Sequence, residues 1–374
     1  MKKRTLLFGF LAIELTAFFF IPGDVTAYRV PEPPRFFEPA NERDEILRAV
    51  TDRDLRAPHV IWILLDGVRR KEAYGSRLNP FPRLQKRIDA KEFWTFGDPR
   101  RNEEMRVSND YAKSLPGYQA MFSGRVGHGQ CSGNSVSDCP HQTDPTIHDA
   151  LAKSGNSVVS VAAWNGLDRA VSAESSAPFL HYSAFGRAPA LPSKVDADAF
   201  EKLAAESRAD LPPWKDCMRD VYAYGIARLL WYSRHPRLET IHWVDADEWG
   251  HLDDFSRYIE TLETYDLWID GLIAAADELE RAGKWGPTVF VVTTDHGRGE
   301  GRSVIWDKFE EHGIWQPSSY YHWAWIRVPE SLRARYQPAP RPRMQQADLR
   351  PTVERLLNEA SPAGIEGRSL IERQ

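Results

Sequence analysis

Residues 59–65 read HVIWILL, a nearly continuous apolar run that stops at Asp66-Gly67. A run of that length without polar alternation predicts a strand buried on both faces, as in the interior of a parallel sheet. Further strand patterns follow at 157–163 (SVVSVAA), 240–244, 288–292 and 322–328. Helical patterns lie between them. One spans about 146–154, with Asp144 as its N-cap, Pro145 at the first helical position and Gly155 as terminator. A long one covers about 253–282, where Ile259, Leu262, Tyr265, Leu267, Ile269, Leu272, Ile273 and Leu279 recur at mostly three- and four-residue spacing before Gly283. A closing helix covers 348–359. This alternation predicts an α/β fold: a mostly parallel central sheet with helices on both faces. Residues 165–238 carry fewer strand signals and read as a cap inserted over the site.

The 374 residues are 42% hydrophobic, enough to bury one large core. A formal net charge of −5 argues against a nucleic-acid coat and against a basic membrane-surface protein. At the N-terminus, Lys2, Lys3 and Arg4 precede a mostly apolar stretch from residue 6 to 21, and Val25-Thr26-Ala27 follow. That is the pattern of a secretory signal peptide over residues 1–27, which predicts a periplasmic or secreted chain with no stable membrane insertion after cleavage. An uncleaved inner-membrane anchor is the competing reading, against which stand Glu14 and the short length of the run. Residues 28–57, rich in Pro and charge, form an extended lead-in, and 58–374 the α/β domain. Cys131 and Cys139 bracket a polar loop and are expected to close a short disulfide, leaving Cys217 over. Without a CxxC pair, a cysteine-based zinc site is not expected.

Polar residues of one chemical kind collect at the strand ends. Asp66 follows the first run, Asp245 and Asp247 follow the strand at 240–244, and Asp295-His296-Gly297 follow the one at 288–292. A carboxylate at the end of a buried strand needs compensation, and a cation supplies it, although a turn Asp or helix N-cap reads equally well for Asp66 alone. Asp247 and His251 are four residues apart, with Trp249-Gly250 between them pointing to a loop; Asp245 is the nearest alternative ligand. His312 precedes a glycine in a later loop, and His322, in a strand, is the alternative to it. Ser114, before Leu115-Pro116-Gly117, reads by itself as a helix N-cap. Lys113 and Tyr118 lie within reach of a substrate there. Among the tryptophans, Trp243, Trp249 and Trp315 flank these segments and either wall a cleft or fill the core. Three carboxylates, three imidazoles and a hydroxyl make the donor set of two divalent ions and a covalent nucleophile.

In order along the chain, the segments ILLDGVR (63–69), KSLPGYQAMFSGR (113–125), DPTIHDALAKSG (144–155), DADEWGH (245–251), VVTTDHG (291–297), EHGIW (311–315) and DLRPTVERLLNEASPAGIEGRSL (348–370) resemble the alkaline phosphatase superfamily over nearly the whole mature chain. Within it the pattern is most similar to the nucleotide pyrophosphatase/phosphodiesterase branch. The resemblance implies an alkaline phosphatase-like fold and one zinc held by Asp247, His251 and His312. It implies a second zinc held by Asp66, Asp295, His296 and the Ser114 oxygen. Manganese suits the same donors. It also implies attack by Ser114 on a small-molecule or envelope phosphoester, a covalent phosphoseryl intermediate, and Asn134, twenty residues on, holding a phosphoryl oxygen. Serine replaces the branch's usual threonine. Sulfatases resemble EHGIW and the closing segment too, and a one-metal sulfatase or phosphonate hydrolase is the alternative. Against it, Tyr118 stands where sulfatases carry Arg, and Gly67 where they carry a second Asp. A non-catalytic anion- or partner-binding envelope protein is a third reading, and transfer of a head group to an acceptor would use the same nucleophile.

Overall fold

A computed structural model describes residues 55–127, 131–174, 177–186, 188–191, 193–301 and 307–374. The expected signal peptide and nearly all of the lead-in lie outside the described residues. At the centre is a seven-stranded sheet built from β1 (His59–Leu65), β2 (Phe93–Phe96), β4 (Val158–Ala162), β5 (Leu180–Ser183), β6 (Leu238–Trp243), β7 (Thr288–Thr294) and β8 (Ala324–Arg327) in the order β2-β8-β7-β1-β6-β4-β5. Only β8 runs against its neighbours, so the sheet is mostly parallel, as the apolar runs predicted. A two-residue β3 (Met105–Arg106) lies outside this sheet.

The helices that lie wholly among the described residues are, in chain order, α1 (Arg70–Tyr74), α2 (Pro82–Asp89), α3 (Ser114–Ser123), α4 (Ile147–Lys153), α5 (Lys194–Ala209), α6 (Asp220–Arg234), α7 (Asp245–His251), α8 (Phe255–Arg281), α9 (Glu330–Arg333) and α10 (Leu349–Leu356). Side chains alternate across β1, so one face presents Val60, Trp62 and Leu64 to Leu115, Met121 and Phe122 of α3 and to Leu349 and Val353 of α10. On the other face α6 packs against β4 and β6, and α8 against β7. Trp243 of β6 packs against Tyr265 in a tilted arrangement and edge-to-face against Trp268 of α8. Among the described residues no helix is long and apolar enough to cross a membrane.

Two details differ from the sequence reading. Thr146, not Asp144, caps α4: its hydroxyl accepts from Asp149 N–H, while Asp149 reaches back to the Thr146 amide. The reciprocal pair satisfies two amide donors at once, which a lone Asp144 would not. Residues 165–238 do not stand apart as a cap. β5 is the edge strand of the sheet, parallel to β4, and α6 covers the sheet with Val221, Ala223, Ile226, Ala227 and Leu230 fully buried. The apolar face of α6 is too wide to be left over an open cleft. Cys131 and Cys139 are disulfide-bonded, and Cys217 is a buried free thiol.

Candidate active site

The strand register creates the site. Leu65, the last residue of β1, pairs with Thr294 of β7 on one side and Trp243 of β6 on the other. Three parallel strands therefore end at one level, and Asp66, Asp295 and the segment carrying Asp247 emerge together at the sheet's C-terminal edge. Gly67 is required there: it has φ +65°, and a Cβ on it would lie 1.9 Å from Asp247 Oδ1.

One group comprises Asp66, Asp295 and His296, whose donor atoms lie within 4.8 Å of one another. Asp295 Oδ1 accepts from the amides of Gly67 (3.0 Å) and His296 (2.8 Å). Its buried Oδ2 receives no hydrogen bond from the protein, although His296 Nε2 is 3.3 Å away. Asp66 Oδ2 accepts from Tyr118 Oη at 2.9 Å and lies 3.3 Å from His242 Nε2, while Oδ1 lies 3.5 Å from His296 Nε2. Burial, then the charge of Asp247, pushes Asp295 up to about 7. Burial, then Asp295 and Asp247, pushes Asp66 up to about 6. Carboxylates buried this close together favour a cation between them.

The second group gathers Asp247, His251 and His312. His251 Nε2 lies 3.1 Å from Asp247 Oδ2 and 3.1 Å from His312 Nε2, which is itself 4.0 Å from Asp247 Oδ2. His296 stacks on His312 with centroids 4.0 Å apart and belongs with Asp247 and His312 as well as with the first group. Each histidine is oriented through its other nitrogen: Nδ1 bonds Gly297 O in His296, Glu310 O in His251 and Ala112 O in His312. A carbonyl can only accept, so each Nδ1 carries the proton and each Nε2 lone pair faces the cluster. Two such lone pairs 3.1 Å apart repel unless a proton or a metal cation lies between them. The orphaned Asp295 oxygen, the crowded carboxylates and the three aimed Nε2 atoms fit divalent ions.

Asp247 and His251 sit on helix α7, not on the loop expected from Trp249-Gly250. The four-residue spacing puts both on one face of that helix, and the glycine makes room for a neighbour: a Cβ at Gly250 would lie 2.4 Å from Arg298 Nε. Arg298 is fully buried and was not anticipated. Its guanidinium donates to the Asp247 carboxylate and backbone carbonyl, to Phe309 O (3.0 Å) and to Glu310 O (2.8 Å), tying together three segments that carry candidate ligands. Burial opposes ionisation of Asp247, but Arg298 and then His251 outweigh it and hold that carboxyl well below the usual range. The only signal in the sequence was its place two residues after His296. Asp245, the alternative to Asp247, pairs with Asp220 instead, and His322, fully buried, joins neither group.

Ser114 opens α3 as its first helical residue rather than as an N-cap; Lys113 holds the cap position. Ser114 Oγ lies 3.2 Å from His296 Nε2, 3.3 Å from Asn134 Nδ2 and 3.4 Å from Asp66 Oδ1. It thus stands at the positive end of a ten-residue helix, beside the first carboxylate group. The Lys113 side chain runs past Gly313, next to His312: a Cβ on that glycine would lie 3.7 Å from Lys113 Cε. Of the flanking tryptophans, Trp243 and Trp249 are core, while Trp315 is 67% exposed.

A scan of protein-family models gave no match, and a search of curated proteins gave none. Solved structures do match. The chain is similar to the lipoteichoic acid synthase LtaP from Listeria monocytogenes, with 12% identity over 88% of this chain and 80% of that one, and a TM-score of 0.53. It is similar to the soluble domain of lipooligosaccharide phosphoethanolamine transferase A from Neisseria meningitidis, with 13% identity, 82% and 88% coverage, and a TM-score of 0.52. A protein in the alkaline phosphatase superfamily from Vibrio parahaemolyticus matches with 13% identity, 88% and 78% coverage, and a TM-score of 0.51. The chain has the alkaline phosphatase-superfamily fold.

Proposed function

We propose that the chain is a metal-dependent phosphoric ester hydrolase, a phosphodiesterase or phosphatase, in which Ser114 is the nucleophile. The observation that carries this reading is the placement of Ser114 Oγ, within 3.4 Å of Asp66, His296 and Asn134 at the start of α3. Asp66, Asp295, His296 and Ser114 would hold one ion, and Asp247, His251 and His312 a second, zinc or manganese. Divalent ions bound there supply Lewis acidity, lowering the pKa of the serine hydroxyl and neutralising charge on the phosphoryl oxygens. Ser114 Oγ attacks phosphorus, and the bond to the leaving-group oxygen breaks, giving a phosphoseryl intermediate that water hydrolyses. Asn134 Nδ2 holds a phosphoryl oxygen and Lys113 offers a positive charge beside it. Tyr118 and His242 orient Asp66, and Arg298 orients Asp247.

Transfer to an acceptor hydroxyl in place of water is the second reading, favoured by the synthase and the transferase among the similar structures. The sulfatase alternative is disfavoured by Tyr118, which here bonds Asp66 and fills the position where an Arg would be needed. The basic and apolar N-terminal pattern and the Cys131–Cys139 disulfide both support a periplasmic or secreted location.

The test is hydrolysis of bis-(p-nitrophenyl) phosphate by the zinc-loaded protein beside Ser114→Ala. Turnover lost in the variant supports the reading; turnover retained would refute Ser114 as nucleophile.

A further inference from the structure

Asn134 makes two bonds at the nucleophile. Its Oδ1 accepts from Leu115 N–H at 3.1 Å, and its Nδ2 donates to Ser114 Oγ at 3.3 Å. One side chain thus fixes both the second amide of α3 and the hydroxyl itself. Yet Asn134 lies in an irregular loop, with residues 135–138 exposed to solvent. An exposed loop of this kind does not by itself hold an amide to a few tenths of an ångström.

The loop is held from three directions. Cys131 and Cys139 close it covalently, and both half-cystines are buried in the same hydrophobic cluster as Leu115 and Phe122 of α3. Within the ring, the Ser132 amide donates to Asp138 O (2.7 Å) and the Cys139 amide to Ser135 O (3.0 Å). From outside, the Arg169 guanidinium donates to three backbone carbonyls of the loop: Asn134 O at 2.9 Å, Ser135 O at 2.9 Å and Cys139 O at 2.7 Å. Those bonds span the loop from Asn134 to the disulfide. Arg169 itself ends a short 3-10 turn after β4, so its position is set by the sheet.

We propose that Arg169 and the Cys131–Cys139 disulfide form a clamp whose function is to position Asn134 against Ser114. Arg169 is then a positioning residue, acting through the backbone of the loop and never on substrate. The inference rests on the reading of Ser114 as nucleophile. Its content is specific: removing Arg169, or opening the ring, has the same effect as loosening the Asn134 amide, and has no effect once that amide is gone.

The experiment is a double-mutant cycle on the metal-loaded protein with bis-(p-nitrophenyl) phosphate. Its members are Arg169→Ala, Asn134→Ala, their combination, Arg169→Lys, and the paired Cys131→Ala and Cys139→Ala substitutions, with Ser114→Ala as reference. Asn134→Ala should lower kcat about a hundredfold, as for loss of one preorganised donor. Arg169→Ala and the paired cysteine substitutions should lower it at least about tenfold, as for a displaced catalytic group. Arg169→Lys should recover part of the loss. The double variant should be no slower than Asn134→Ala alone. Deuterium exchange gives a readout that needs no turnover: the peptide carrying the Leu115 amide should exchange faster in Arg169→Ala, and no faster in the double variant than in Asn134→Ala. Additive losses in rate, or unchanged exchange at Leu115 in Arg169→Ala, would overturn the clamp. An active Ser114→Ala protein would instead remove the reading beneath it.

Discussion

Metal uptake should be strongly pH-dependent, in a direction fixed by the carboxylate cluster. In the metal-free protein burial, then neighbouring carboxylates (Asp295 and Asp247 for Asp66, Asp247 for Asp295), push Asp66 up to about 6 and Asp295 up to about 7. A divalent ion binds the carboxylates, so their protons must leave first. At pH 8 both are ionised and little is lost. At pH 6 Asp295 is ionised in roughly one molecule in ten and Asp66 in one of two, which weakens binding on the order of twentyfold. His296 and His312 are both lowered, mainly by burial, so protons compete less with a metal ion at these two imidazoles than at a free histidine. For His251, burial disfavours the imidazolium but Asp247 outweighs it, so its pKa is raised and its proton adds to the effect. Stability runs the other way. With raised carboxyl pKa values, the metal-free fold holds protons that the unfolded chain has released, and it loses stability as pH rises from about 4 to 7. The assay is competition for zinc against a chromophoric chelator at pH 6 and pH 8, corrected for the chelator's own protonation. Equal affinity at the two pH values, or tighter binding at pH 6, would refute the assignment of Asp66 and Asp295 as buried ligands.

Other outcomes follow from single residues. Ser114→Ala should lower diester turnover by roughly a thousandfold or more while leaving zinc stoichiometry by elemental analysis unchanged, because Asp66, Asp295 and His296 remain. Arg298→Met leaves Asp247 buried without its cation, so thermal melts in EDTA should show a loss of about 3 kcal/mol, and a smaller one with zinc bound. Glu239, in β6, is fully buried with no protein donor on either oxygen, and burial holds its pKa well above 4.5. Glu239→Gln should therefore stabilise the fold more at pH 7 than at pH 4.5 in urea melts; an equal effect at both pH values would refute a neutral buried Glu239.

What could be read from the sequence was whatever depends on local order. Strands β1 and β7 are continuous apolar runs, so their ends, and with them Asp66 and Asp295, could be located. The long helix α8 was legible because its apolar spacing persists for seven turns. What was not legible depends on neighbours distant in the chain. α7 looked like a loop because Gly250 disfavours helix, and only the buried Arg298 explains the glycine. Residues 165–238 looked like a cap because β5 is four residues long and gains its place only by pairing with β4. Arg298 itself is an ordinary arginine until Asp247, Phe309 and Glu310 surround it.

The strand register described above has a consequence for when the chain can act. Residues 66, 114, 247, 295 and 312 meet only after helix α3 has docked on one side of the sheet and α7 with α8 on the other. No half of the polypeptide contains a working site, and a chain emerging from the ribosome or threading through a translocon carries none until its last third has joined. Under the proposed function, a chain exported unfolded would act on no phosphoester in the compartment where it is synthesised. Its activity is a direct report that the whole domain has assembled.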